Sequence, residues 1–107
     1  MNRKGIVYYN NIECGIILEN DDGYIFRYDQ NWLEDPLAKP ISLTLPLQKE
    51  EFFSNTLFSF FDGLIPEGWL LNVVSHNWKI NPNDRFGLML SACRDCIGDV
   101  CIRDGVE

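Results

Sequence analysis

At 107 residues, 46% hydrophobic and 13% aromatic, the chain is long enough to bury one sizeable core, too rich in apolar residues for wholesale disorder, and too short for two-lobed catalytic machinery. Its net charge of −7, nine basic against sixteen acidic side chains, opposes direct nucleic-acid binding, because only Arg3 and Lys4 are adjacent and the other basic residues stand singly along the chain. No apolar run approaches the ~20 residues that a bilayer demands, and MNRKGIVYYNN lacks a signal-type apolar stretch; no membrane contact and a cytoplasmic location are expected, with Cys14, Cys93, Cys96 and Cys101 as reduced thiols.

Ile6 to Tyr9 and Ile12 to Leu18 are strand-like runs on either side of Asn10-Asn11, a turn candidate. Asn20-Asp21-Asp22-Gly23 is a second turn, and Tyr24 to Tyr28 is rich in strand formers. Together they predict a three-stranded antiparallel meander. Asp29 to Pro36 predicts a short helical turn carrying Trp32 and Leu33 inward and stopped by Pro36. Ile41, Leu43 and Leu45 alternate with Ser42, Thr44 and Pro46, the pattern of a half-buried edge strand, and polar residues 48–51 lead from there into the helices.

Ser54 or Asn55 is placed to cap the next helix, in which Leu57, Phe60, Phe61 and Leu64 recur at core spacing, with Phe58 and Ile65 widening the face. Gly63 falls where its last turn should loosen. The chain then makes an elbow, Ile65-Pro66-Glu67-Gly68, and a second helix is predicted from about Pro66 to Lys79 with Leu70, Leu71, Val74 and Trp78 as its apolar stripe. At ~100° per residue Trp69 falls opposite that stripe, beside Asn72 and His76. A tryptophan so placed reads as an interface anchor, or as a cover over another part of the same domain. In a third helix, capped by Asp84 and ended by Gly98, Phe86, Met89, Leu90 and Cys93 form the buried face; Val100 to Arg103 returns as a strand. Strands, then helices, then a strand make one α+β domain over residues 1–107, a small antiparallel sheet packed with about three helices.

The chemical constellations are sparse. Cys93-x-x-Cys96 with Cys101 invites zinc, but a structural zinc site wants four ligands and only Cys14 and His76 remain. Cys93 also fits a buried helix face, so no metal is expected. His76 is the single histidine, with Ser75 beside it rather than a helix turn away. Asp62 and Glu67 flank the elbow as an acid pair, though Glu67 in a first helical turn is favoured by the dipole alone. No glycine-rich phosphate loop occurs. No catalytic residue and no cofactor are assigned, and the chain reads as a binder rather than an enzyme.

Several stretches in order, YDQNWL (28–33), PISLTLPLQ (40–48), FSFFDGLIPEG (58–68), FGLML (86–90) and RDCIGDV (94–100), resemble the N-terminal subdomain of HipA-type serine/threonine kinase toxins. In that family the subdomain precedes a kinase core that holds the nucleotide loop, catalytic aspartate and metal ligands. This chain stops after the subdomain, so none of those positions carries over. A free-standing copy is similar to the HipS-like antitoxins of HipBST toxin–antitoxin systems. The resemblance implies an antitoxin that binds a separate HipT-like kinase, alongside a HipB-like helix-turn-helix protein in a ternary complex. It makes Pro66, Glu67, Gly68 and Trp69, with Asp62, Asn72 and His76, the candidate partner-binding residues. Trp69 is expected at the kinase active site, and Asp62 and Glu67 against basic groups there. The alternatives are a non-inhibitory module that joins the kinase to the DNA-binding protein, and a thiol or zinc protein built on the cysteines.

Overall fold

The computed structural model of the chain describes residues 3–65, 83–93 and 99–105. Among them five strands form one antiparallel sheet of order β4-β3-β2-β1-β5, made of β1 (Arg3–Tyr9), β2 (Ile12–Asn20), β3 (Gly23–Tyr28), β4 (Phe52–Ser54) and β5 (Val100–Asp104). Three helices accompany it: α1 (Gln30–Glu34), α2 (Ser59–Asp62) and α3 (Arg85–Ala92). The α+β class and the N-terminal meander are as expected from the sequence.

The turns follow from their residues. Asn10 and Asn11 both take positive φ, 51° and 68°, which asparagine tolerates and which matches the twist of a two-residue hairpin. The Asn20 side-chain oxygen accepts from the N–H groups of Asp22 and Gly23 at 2.8 and 2.9 Å, and Gly23 opens β3 at φ 151°, open to a residue without Cβ. The register of β1 on β2 slips between Val7 and Tyr8. The Cys14 carbonyl opposite that slip accepts from Asp29 N–H at 2.8 Å, which fixes the start of α1.

Asp29 caps α1 by accepting from Asn31 N–H, and Trp32 is buried as expected, its ring 5.7 Å from that of Tyr9. Its indole N–H donates to the Lys39 carbonyl at 3.2 Å. The strand expected at 41–46 is corrected. Ile41 and Leu45 are buried while Leu43 is 99% exposed, because the chain turns at 42–45, with Leu45 N–H bonded to the Ser42 carbonyl and Thr44 N–H to the Ser42 hydroxyl. The Tyr28 hydroxyl donates to the Leu45 carbonyl and accepts from Ile41 N–H, so one buried phenol closes this turn against the sheet.

A further correction concerns residues 52–58. Phe52–Ser54 pairs with β3 as an edge strand, so Ser54 is not a helix cap, and α2 begins only after Phe58. Backbone pairing to β3 outweighs the helical spacing that starts at Leu57, although the face itself is placed as expected: Leu57, Phe61 and Ile65 are buried. Phe61 sits at the centre, its ring 5.4 Å from Phe26, 6.1 Å from Phe58 and 5.2 Å from Phe60.

In α3 Asp84 is the cap, accepting from Gly87 N–H at 3.1 Å. Phe86, Leu88, Met89, Leu90 and Cys93 are buried against the sheet. A Cβ on Gly5 of β1 would meet Ile102, Ile17 and Leu90 side chains at 3.0 to 3.1 Å, so a glycine there lets helix and strand approach. The Cys93 carbonyl accepts from Ile102 N–H at 2.8 Å, tying the end of α3 to β5. No helix among the described residues is long and apolar enough to cross a membrane.

Candidate functional site

Antiparallel registers gather one end of every strand at one end of the sheet. Arg3 pairs with Glu19, Asn20 with Gly23, Tyr24 with Ser54 and Gly5 with Asp104. α2 and the first turn of α3 lie at this end too, leaving a groove of about 770 Å³ lined by Glu19, Tyr24, Thr56, Asp62, Asp84 and Arg85 among others.

Beside the groove stands Arg3, whose guanidinium bonds two carboxylates at once. It donates to both oxygens of Glu19 at 2.6 and 2.8 Å and to both oxygens of Asp84 at 2.8 and 2.7 Å. Paired planar contacts of this kind are the strong form of a charge-assisted hydrogen bond. The same guanidinium lies 5.1 Å from the centre of the Phe86 ring, and Tyr24 stacks on Phe86 at 5.8 Å. Hydrogen bonding to Arg3 holds the Asp84 carboxyl below the ordinary carboxylate range, and the two carboxylates push the guanidinium pKa further up. Burial, with Glu19 nearby, raises the Tyr24 phenol.

The second ion pair joins the two helices. Arg85 Nε donates to Asp62 Oδ1 at 2.6 Å, with both side chains about two-fifths exposed. Asp62 is the one sequence-predicted site residue among those described, and its carboxylate is engaged by a cation of its own chain. Pro66, Glu67, Gly68, Trp69, Asn72 and His76 lie outside the described residues, but both flanks of that segment are in view, and the Asp62–Arg85 pair bridges them. Arg3, Glu19, Tyr24 and Arg85 escape sequence reasoning. The only signal was the cap at Asp84, because basic residues that stand singly in sequence are brought together only by the sheet.

The cysteines are divided. Cys14 and Cys93 are free and buried, and burial pushes their thiols up to about 12 and about 11, well away from the thiolate that metal binding or redox exchange needs. Cys93 Sγ faces the Leu64 carbonyl at 3.8 Å. Cys101 is disulfide-bonded, which corrects the expectation of four reduced thiols; a compartment sets an average redox state, not the fate of a thiol held beside a second sulfur. Among the described residues no three metal-ligating side chains converge.

At the opposite end of the sheet a smaller, more apolar hollow of about 310 Å³ lies between Tyr9, Ile12, Trp32, Leu37 and Lys39. Ile12 is 52% and Leu37 81% exposed there. The molecule thus presents a polar, ion-paired groove at one end and an apolar hollow at the other, surfaces suited to recognition.

Comparison with known proteins agrees with this frame. A protein of Haemophilus influenzae described only as uncharacterized is 31% identical over 102 residues, 95% of this chain and 92% of its own length. Y4mE of Sinorhizobium fredii, described as a candidate kinase, is 33% identical over 64 residues, 60% of this chain but 15% of Y4mE. The solved N-terminal domain of HipA toxin superposes with a TM-score of 0.75 at 28% identity, covering 98% of this chain and 94% of that one. These likenesses support a role related to toxin–antitoxin systems. With residues 5–103 matching the family described as the HipA N-terminal domain, the chain belongs to the HipA N-terminal domain family.

Proposed function

We propose that this chain is an antitoxin that binds and neutralises a HipT-like serine/threonine kinase toxin, placing the Pro66 to Trp69 elbow at the kinase active site. The observation that carries the reading is one of extent. Residues 5–103 match a HipA N-terminal domain, whereas the matching stretch is only 15% of the kinase-named relative Y4mE. The domain is therefore used both as a small part of a much longer polypeptide and, in the Haemophilus protein, as nearly the whole of one. That the same domain stands within a kinase-named relative supports recognition of a kinase by this chain. On this reading the chain is a cytoplasmic binder, not an enzyme, without cofactor, and it meets DNA only through a HipB-like protein in a ternary complex.

The test is kinase activity with and without the purified protein, wild type against Trp69→Ala at matched folding stability. A buried anchor truncated to alanine loses ~2 to 4 kcal/mol of binding, roughly 30-fold or more in affinity. Inhibition by wild type and not by the variant is the expected result. Equal inhibition by both moves the contact away from the elbow; a complex without inhibition by either supports the assembly-module reading instead.

A further inference from the structure

We propose that the groove between the β2–β3 end of the sheet and the α2–α3 pair is the seat of the kinase polypeptide, which covers it with a surface bearing arginine or lysine. The inference rests on the kinase-binding reading above and adds to it where on this domain the kinase sits and what chemistry it brings.

The first argument is where the chain leads. β5 runs toward the groove end, since Asp104 pairs with Gly5 and Val100 with Tyr9. Beyond it Gly105 N–H bonds the Lys4 carbonyl at 2.8 Å, next to Arg3. In HipA toxin this domain is the N-terminal one, so whatever follows it in a fused polypeptide departs from this end of the sheet, within a few residues' reach of the groove. The apolar hollow of Tyr9, Ile12 and Leu37 lies at the far end, where β1 ends and β2 begins.

The second argument is charge. Glu19, Asp62 and Asp84 line the groove, and the turn Asp21-Asp22 and the end of β5 at Asp104 add carboxylates at the same end of the sheet. Among the described residues that line the groove Arg85 is the basic one, and the whole chain carries a net charge of −7. An acidic, open, polar groove favours a basic partner surface, and such pairing speeds encounter in a salt-dependent way. Its walls are preorganised by the Arg3–Asp84 and Asp62–Arg85 pairs, so covering it orders little that is not already ordered.

The experiment measures association and dissociation of the full chain with the purified kinase toxin at low and high salt. The variants are Thr56→Arg, Thr56→Glu and, as the far-end control, Leu37→Arg, each first confirmed folded by its melting temperature. Thr56 lies in the groove with its residue exposed. Thr56→Arg is expected to weaken binding by 10-fold or more, chiefly by slowing association at low salt. Thr56→Glu is expected to bind at least as well as wild type, and Leu37→Arg to bind like wild type. Wild-type affinity in Thr56→Arg, or loss confined to Leu37→Arg, overturns the groove assignment while leaving kinase binding intact. Equal loss in both Thr56 variants also overturns it, since a basic partner surface distinguishes their charges. Failure of wild type to bind the kinase overturns the proposed function itself and this inference with it.

Discussion

Arg3 and Asp84 stand 81 positions apart and meet through two N–H···O bonds of 2.8 and 2.7 Å. One Asp84 oxygen also takes the Gly87 N–H, so a single carboxylate both starts α3 and fastens it to the first strand. The start of β1, the cap of α3 and the groove are consequently one mechanical unit.

Replacing Asp84 therefore removes two things that can be separated. Asp84→Ala loses the cap, about 1 kcal/mol, and a partly exposed ion pair, up to about 1 kcal/mol. Asp84→Asn keeps a good capping acceptor and loses chiefly the charge. The melting temperature is expected to fall on the order of 10 °C for alanine and about half that for asparagine. Equal falls for the two variants would place the whole effect in the charge, and no fall for asparagine would place it in the cap.

The same carboxylate gives a signed pH dependence. Hydrogen bonding to Arg3 lowers its folded pKa below the ordinary 3.8. The pair's contribution is then fully present above the unfolded carboxylate's pKa and is lost as pH falls through the lower folded value. Urea midpoints for wild type and Asp84→Asn are expected to differ by a constant amount from pH 7 to about 5 and to converge below about 3.8. A gap that widens toward acid would contradict the assignment.

Tyr28→Phe isolates the phenol that holds the 41–45 turn. The variant leaves Ile41 N–H and the Leu45 carbonyl without their buried partner, at a cost of about 1–3 kcal/mol. Amide exchange at Ile41 should accelerate strongly, while amides of the β1–β2 ladder change only as global stability does. Unchanged protection at Ile41 would show that this bond does not hold the turn.

Phe61→Ala opens the centre of the core, where the ring is fully buried against Phe26. The expected loss is about 3–5 kcal/mol, a large part of the ~5–15 kcal/mol that such a domain possesses. Leu43→Ser, at a 99% exposed position, should leave the denaturation midpoint unchanged. Similar losses for both would mean that 41–46 is a buried strand after all.

Cys14 and Cys93 should resist alkylation in the native protein at pH 8, because burial holds both thiols protonated up to about 12 and about 11, and only the thiolate reacts. Mass spectrometry after maleimide treatment is expected to show both unmodified, and both modified once urea is added. Fast native labelling of either residue would reopen the thiol-chemistry reading.

Much of the fold was legible because its signals are local. The runs of strand formers at 6–9, 12–18 and 24–28, broken by Asn-Asn and Asn-Asp-Asp-Gly, specify a meander within a window of a few residues, and Asp84 before Phe86-x-x-Met89-Leu90 specifies a capped helix. The misreadings came where local pattern competed with a distant partner. Alternation at 41–45 yielded to the Tyr28 hydroxyl, and the helical spacing that starts at Leu57 yielded at its N-terminal side to β4 pairing on β3. Of the groove, sequence pointed to Asp62 and to the cap at Asp84, but not to Arg85, the partner of Asp62.

By itself, then, the sequence determined the α+β class, the meander, the buried faces of α2 and α3 and the family resemblance, since each is written in spacing between near neighbours. Only the tertiary structure decided that β5 lies beside β1, that Arg3 reaches Glu19 and Asp84, and that Arg85 bridges to Asp62. The physical reason is that charge pairing acts over a few ångströms of space whatever the separation along the chain, and the sheet register alone brings residue 3 to residue 84.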